Sequence, residues 1–253
     1  MQDEYQENGF VLARGFFSEA ELTEIEPVLR VFHENWLNDN QAFYENGAIN
    51  SAYITHKDAL TPSRRTALLD FIATDKLLKL AQMLIPNGPA FMGTQLFFDP
   101  KHSDRKNYWH RDGQYNSDDI SEQKAMLTGG LVLHFRVPLV DERGIELMPR
   151  THFRWDTDLE YATRTAADGR NVFDDLPDSK AIPLNRGDLL VFNANMIHRG
   201  LYGGNRFALD IIFCDTDPEL LRFVQPDCLP DMQELNALAH PQIFQATLQA
   251  LRS

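Results

Sequence analysis

Gly187-Asp188-Leu189-Leu190-Val191-Phe192-Asn193-Ala194-Asn195-Met196-Ile197-His198 is the stretch on which the reading of this chain turns. A polar turn opens it, four large apolar residues follow as a short strand, and a histidine closes it. An isolated histidine at such a place ordinarily caps a strand end. Here a glycine-rich bend, Gly200 to Gly204, follows at once and returns the chain into a second apolar run that carries Arg206.

Similar β-prone runs lie on either side. Residues 90–98, 130–140, 188–193 and 206–214 form the set, with turns such as Asp141-Glu142-Arg143-Gly144 and Asn185-Arg186-Gly187-Asp188 between them. Several short strands punctuated in this way predict a β-sandwich or barrel. Before them the texture is helical. Residues 9–17 read as a short strand turning at Gly15. Ser18-Glu19-Ala20-Glu21 is a capping box, in which the serine hydroxyl and the second glutamate satisfy free N–H groups at a helix start. Leu22, Ile25, Leu29 and Phe32 continue it at helical spacing. Residues 62–84 read as one further helix, with Leu68, Leu69, Ile72, Leu77, Leu80 and Leu84 on one side and Pro86-Asn87-Gly88-Pro89 as its stop. Residues 231–251 read as one or two short helices around Pro241. The acid-rich segments 114–124 and 155–180 read as two lids rather than core. No linker composition divides the chain, so one domain is expected over 1–253: a helical part over about 18–86, a β core over about 90–215 and C-terminal helices over about 231–251.

A hydrophobic fraction of 43% suits a chain that buries a real core. The formal net charge of −13 disfavours nucleic-acid binding, since a negative field repels phosphates. Nothing approaches a membrane span, and the polar start, Met1-Gln2-Asp3-Glu4-Tyr5, does not read as a secretory signal. Cys214 and Cys228 lack zinc-type spacing and read as inert thiols of a reducing cytoplasm.

His-x-Asp occurs three times, as His56-Lys57-Asp58, His102-Ser103-Asp104 and His110-Arg111-Asp112. On an extended strand, residues i and i+2 point to one side, so the pattern offers an imidazole and a carboxylate to one point in space. A histidine from another strand completes one face of an octahedron, the open arrangement suited to O2-activating Fe(II). The first triplet lies beside a helix start and the second in a charged loop. The third follows Asn107-Tyr108-Trp109, bulky residues able to wall a site, and precedes Gly113, which permits a sharp exit. With His198 it makes the candidate metal set His110, Asp112 and His198. Arg206 is the candidate clamp for a carboxylate-bearing cosubstrate. Arg199 is its rival, although strand alternation aims Arg199 away from the side that His198 faces.

In these features the chain resembles the phytanoyl-CoA dioxygenase family of Fe(II)/2-oxoglutarate oxygenases. The resemblance rests on the start, Asn8-Gly9-Phe10-Val11-Leu12 through Phe17-Ser18, and on Trp109-His110-Arg111-Asp112 as a WHxD motif. It rests also on Gly144-Ile145-Glu146-Leu147-Met148-Pro149-Arg150-Thr151-His152, on Gly187 through His198, and on Arg206-Phe207-Ala208-Leu209, in the family's order. It implies a double-stranded β-helix (jelly-roll, cupin-like) core with helices outside. It implies iron on His110, Asp112 and His198, with 2-oxoglutarate chelating iron and its far carboxylate on Arg206. Gln95 falls where the family often places a polar cosubstrate contact. Asp112 is intact, whereas related halogenases lack that carboxylate, so the resemblance implies hydroxylation of an unactivated C–H in a small molecule, consuming O2 and releasing succinate and CO2. Two departures stand out. The turn between the distal histidine and the arginine is short, and Arg150 replaces the glycine of the P-G-S-H segment.

Candidate substrate contacts are Tyr108, Trp109 and Tyr115, which flank the motif, and Arg136 and Arg150, on or near core strands. For the aromatic residues taken singly, packing is the competing role. Two other functional classes fit the same residues: a cupin-like metal-dependent isomerase or hydrolase, and a non-catalytic ligand-binding β-sandwich.

Overall fold

The computed structural model describes residues 1–102 and 104–252; Ser103, in the second His-x-Asp triplet, and Ser253 lie outside the described residues. Among the described residues, nine strands form two antiparallel sheets: β1 Phe10–Ala13, β2 Asn50–Ala52, β3 Pro89–Phe98, β4 Val132–Pro138, β5 Glu142–Leu147, β6 Lys180–Leu184, β7 Leu189–Asn193, β8 His198–Gly200 and β9 Phe207–Asp215. The larger sheet runs β1-β7-β4-β9-β3-β2 and the smaller β6-β5-β8. The helices are α1 Gln2–Asn8, α2 Glu19–Asp39, α3 Gln41–Glu45, α4 Pro62–Ile72, α5 Asp75–Leu84, α6 Ile120–Met126, α7 Asp158–Thr165, α8 Pro218–Leu221, α9 Met232–Ala237 and α10 Gln242–Ala250. This is the expected double-stranded β-helix with outer helices.

The central strands are buried on both faces, and side-chain parity divides what each face carries. On β4, β7 and β9 the odd-numbered residues Leu133, Phe135, Val137, Leu189, Val191, Leu209, Ile211 and Phe213 join the main core with the buried faces of α2, α4 and α5. The even-numbered residues point the other way, between the sheets. There Leu190 and Phe192 pack with Ile145 and Leu147 of the smaller sheet, while His134, Arg136, Asp210 and Ile212 line a cavity. Register aligns these residues in rows: Arg136 pairs with Asp210, which faces Gln95 on β3, and one step along His134 pairs with Ile212, which faces Gly93.

The helices follow local signals. The Ser18 hydroxyl and the Glu21 carboxylate close the capping box of α2, whose buried Leu22, Ile25, Leu29 and Phe32 are the predicted face. The single helix expected over 62–84 is two, broken at Ala73-Thr74, where the Thr74 hydroxyl returns to the Phe71 carbonyl. The apolar spacing carries across the break because both helices pack on the same core. Asp141 to Gly144, expected as a turn, instead enters β5, with irregular pairing between Glu142 and Ile145. Residues 155–180, expected as a lid, hold α7, started by a Thr157–Glu160 capping box. The Asp156 carboxylate binds Arg111 Nε at 2.7 Å and Arg164 Nε at 2.5 Å, so the start of this segment is anchored to the body of the protein, while residues 165–180 are mostly exposed or half-buried. Cys214 and Cys228 are buried and unbridged. Among the described residues, no helix is long and apolar enough to cross a membrane.

Candidate active site

His110 and His198 meet through the backbone. His110 N–H donates to the His198 carbonyl at 3.0 Å, and the reverse bond is 2.9 Å. Asp112 does not continue the strand. It opens a 3-10 turn, Asp112–Tyr115, and its N–H is held by the Ala194 carbonyl at 3.1 Å. The i, i+2 argument therefore holds for the outcome but not for the backbone that delivers it. Nε2 of His110 lies 3.6 Å from Asp112 Oδ1, and Nε2 of His198 lies 3.7 Å from the same atom. One donor atom from each residue falls within 4.8 Å of the others.

The tautomers suit a metal. Nδ1 of His198 faces the Met196 carbonyl at 3.0 Å and Nδ1 of His110 faces the Tyr108 carbonyl at 3.3 Å. A carbonyl only accepts, so both Nδ1 atoms carry the proton and both Nε2 lone pairs are free. Burial holds the His110 imidazolium below its usual range; burial and the neighbouring His110 bring His198 down to about 3. Both rings are neutral at physiological pH. Burial alone would raise the Asp112 carboxyl, but the hydrogen bond from His134 and the nearby histidines outweigh it and hold it well below the carboxylate range. Asp112 is thus an anion, and two neutral imidazoles with one carboxylate match a facial triad.

Arg206 faces the same cavity of about 880 Å3. Both carboxylate oxygens of Asp99, just after β3, accept backbone N–H groups of the short glycine bend, from Gly203 at 2.7 Å and Arg206 at 3.1 Å. The guanidinium lies between the rings of Phe97 and Tyr202, 5.1 and 5.5 Å from their centroids. A Cβ on Gly200 would stand 2.7 Å from Arg206 Nη1, so a side chain there would push the guanidinium aside. Arg206 is only 3% exposed, yet its Nε and Nη1 have no hydrogen-bond partner. Its nearest carboxylate oxygen, Glu142 Oε2, is 3.7 Å away and also serves Arg136. Burial and the like charge of Arg136 pull the Arg206 guanidinium down to about 10. A buried cation with unspent donors is suited to a carboxylate delivered by a ligand.

The other candidates divide. Gln95, Tyr108 and Tyr115 line the cavity. Arg136 lines it too, but its guanidinium is spent on Glu142, at 2.8 and 3.1 Å, and on Asp210 at 3.0 Å. Trp109 is fully buried in a separate cluster with Met148, Leu176 and Ile197 and does not reach the cavity. The parity that turns Tyr108 and His110 inward turns Trp109 outward. Arg150 stays at the surface, bound to Glu7 at 2.6 Å. Its φ of 68° retains the left-handed turn that a glycine would adopt, so the P-G-S-H departure leaves the cavity unaltered. Arg199 points away, to Glu146 and Asp175 at 2.7 Å each. Of the two expected lids, 114–124 contributes Tyr115, Asn116 and Glu122 to the cavity wall, and 155–180 contributes nothing. His56 and His102 are surface residues beside Asp227 and Glu45.

Sequence reasoning missed His134, Asp210 and Glu142. The available signal was a charged or polar residue at alternate positions of otherwise apolar strands, Leu133-His134-Phe135-Arg136-Val137 and Leu209-Asp210-Ile211. Burial alone would lower the His134 imidazolium, but hydrogen bonds to Asp112 and Asp210 outweigh it and raise it to about 9.

Comparison with solved structures returns the same fold. AviO1 from Streptomyces viridochromogenes Tue57 matches with TM-score 0.59 at 16% identity, over 85% of this chain and 93% of that one. EctD from S. alaskensis, with 2-oxoglutarate and 5-hydroxyectoine, matches with TM-score 0.58 at 14% identity, over 84% and 74%. SnoK from nogalamycin biosynthesis, a non-haem alpha-ketoglutarate-dependent carbocyclase, matches with TM-score 0.54 at 18% identity, over 85% and 83%. No curated protein sequence matches the chain. The profile described as "Phytanoyl-CoA dioxygenase (PhyH)" matches residues 5–205. The chain belongs to the phytanoyl-CoA dioxygenase family and is, by that membership, a non-haem iron- and 2-oxoglutarate-dependent oxygenase.

Proposed function

We propose that His110, Asp112 and His198 hold one Fe(II), that Arg206 grips the far carboxylate of 2-oxoglutarate, and that the enzyme hydroxylates an unactivated C–H of a small molecule. The observation that carries this reading is Arg206: a buried guanidinium with free donors shares one cavity with two bare imidazole nitrogens and a carboxylate oxygen. Iron with 2-oxoglutarate supplies O2-driven C–H oxidation, with succinate and CO2 released. The chain's own residues bind and orient. Carbonyls behind His110 and His198 aim their rings, Phe97 and Tyr202 keep water from the guanidinium, and Gln95 offers an amide beside the cosubstrate row.

The cavity wall favours a substrate with an apolar body and no phosphate or free acid. Met92, Met126, Val132, Ile212 and Leu220 wall it. Among the described lining residues, the cations besides Arg136 and Arg206 are His134, held between Asp112 and Asp210, and Arg222, which pairs with Glu219 at 3.0 Å. Glu122 and Asp217 line the same cavity. This disfavours a coenzyme A thioester and favours neutral or cationic molecules.

The test is spectroscopic. Adding Fe(II) and 2-oxoglutarate without O2 gives the visible charge-transfer band of the chelate. His110→Ala abolishes the band, whereas His56→Ala and His102→Ala retain it. No band in the folded parent protein refutes the reading. Labelled O2 then separates hydroxylation, which puts one labelled atom in the product, from epimerisation or ring closure, which puts none.

A further inference from the structure

His134 on β4 stands between two carboxylates. Its Nε2 lies 2.9 Å from Asp112 Oδ2 and its Nδ1 lies 3.2 Å from Asp210 Oδ2. A carboxylate oxygen accepts, so each ring nitrogen donates. Phe192 fixes the ring plane, stacked 4.9 Å away at 13°, and packs edge-on against His198 at 5.1 Å. The two oxygens of Asp112 are thereby divided: Oδ2 accepts from His134, and Oδ1 is the oxygen nearest both Nε2 atoms. The contacts do not stop at Asp210. Its other oxygen binds Arg136 Nη1 at 3.0 Å, Arg136 binds Glu142 through two nitrogens, and Glu142 Oε2 lies 3.7 Å from Arg206 Nε. Every side chain from His134 to Arg206 is buried. Charge alternates along a path that runs from the candidate metal carboxylate to the candidate cosubstrate arginine.

We infer that His134, oriented by Asp210, is a positioning residue: it holds Asp112 as a one-oxygen metal ligand and ties that ligand through Arg136 and Glu142 to Arg206. The inference rests on the metal and cosubstrate sites proposed above. A free carboxylate rotates about its Cβ–Cγ bond and can turn either or both oxygens to a cation. A carboxylate with one oxygen fixed has lost that freedom before the metal arrives. Such outer partners typically govern metal affinity by about 10- to 100-fold. The ion-pair path also holds Glu142 off Arg206, because Arg136 takes both of its oxygens. Loosening Asp210 frees Arg136, and Glu142 then competes with the cosubstrate for Arg206.

The experiment measures Co(II) and Fe(II) binding anaerobically, and 2-oxoglutarate binding to the metal-loaded protein, in the parent and in His134→Leu, His134→Gln and Asp210→Asn. Thermal unfolding reports whether each variant is folded. In His134→Leu, metal affinity falls about 10-fold or more. His134→Gln, whose amide nitrogen reaches about as far as Nε2, recovers most of it. Asp210→Asn weakens both metal and 2-oxoglutarate binding. A packing role alone predicts the opposite ranking, because leucine suits the Phe192 face better than glutamine does. If folded His134→Leu and Asp210→Asn bind metal within 2-fold of the parent, the positioning role falls and the metal site stands. If the parent binds neither ion, both fall. If His134→Leu does not fold, Asp210→Asn decides: weaker metal binding upholds the role, and unchanged binding overturns it.

Discussion

Replacing Arg206 with methionine should weaken cosubstrate binding and stabilise the protein at once. The guanidinium, ordinarily near 12.5, sits at about 10 because burial and Arg136 disfavour its charge, and that difference corresponds to about 3 kcal/mol against the charged form in the folded chain. The sign is that of a base with a lowered folded value: the cost is present in full at neutral pH, where the side chain is charged both folded and unfolded. Methionine removes the charge and keeps most of the volume. Contacts with the Phe97 and Tyr202 rings offset about 1 kcal/mol of the gain. The remaining stabilisation, about 2 kcal/mol, raises the Tm of the cosubstrate-free protein by roughly 4–8 °C. Binding moves the other way. Two charge-assisted hydrogen bonds to the far carboxylate contribute at least about 3 kcal/mol together, so the Kd for 2-oxoglutarate rises by about 150-fold or more. Anaerobic titration of the Fe(II) protein, followed by the chelate band, measures the Kd, and calorimetry measures Tm with and without cosubstrate. An Arg206→Met protein that binds 2-oxoglutarate like the parent refutes the assignment. A variant with a lower Tm shows that Arg206 is a structural ion pair.

Three further outcomes follow from the same geometry. Gly200→Ala displaces the flexible end of Arg206 rather than backbone, so 2-oxoglutarate KM rises about 10-fold while Tm moves by no more than about 2 °C, by kinetics and calorimetry. Asp156→Ala leaves the buried guanidinium groups of Arg111 and Arg164 without their carboxylate; denaturant unfolding should show a loss of about 3–5 kcal/mol, and metal binding should weaken because Arg111 lies between two ligands. For Glu160, burial would raise the carboxyl, but Arg154 and the Thr157 hydrogen bonds outweigh it and hold it below its usual 4.5. Its contribution is therefore present above pH 4.5 and lost as pH falls below that value; Glu160→Gln should flatten that part of the Tm-against-pH curve, and an unchanged slope would discount the pair.

The parts legible in the sequence were those with strong local signals. The Ser18–Glu21 box started α2 where it stands, and the apolar runs of β3, β4, β7 and β9 lie within a few residues of their observed ends. β6 was missed because it is an exposed edge strand with Pro183 inside, and β8 because it is three residues long. The start of α7 was readable in Thr157-Asp158-Leu159-Glu160, but the surrounding acids suggested a solvated loop. His110, Asp112, His198 and Arg206 were picked out by order and motif, and the structure gathers them around one cavity. Trp109 was misassigned although strand alternation already turned it outward. His134 and Asp210 needed sheet register, which brings residues 112, 134 and 210 together across three elements and leaves no trace in spacing along the chain.

The rows across β3, β4 and β9 have an evolutionary consequence. Around Arg206, the cavity side chains of β3, β4 and β9 stand in rows on strands whose backbones are paired across the sheet. A change there is felt by several partners, so this end tolerates little drift. Residues of α6, of α8 and of the segment after β2 also line the cavity, and these pieces lie outside the sheet. Those pieces can vary one at a time. Selection on substrate range can thus fall on parts of the chain outside the sheet, and a lineage can exchange one substrate for another while the rows around Arg206 stay the same.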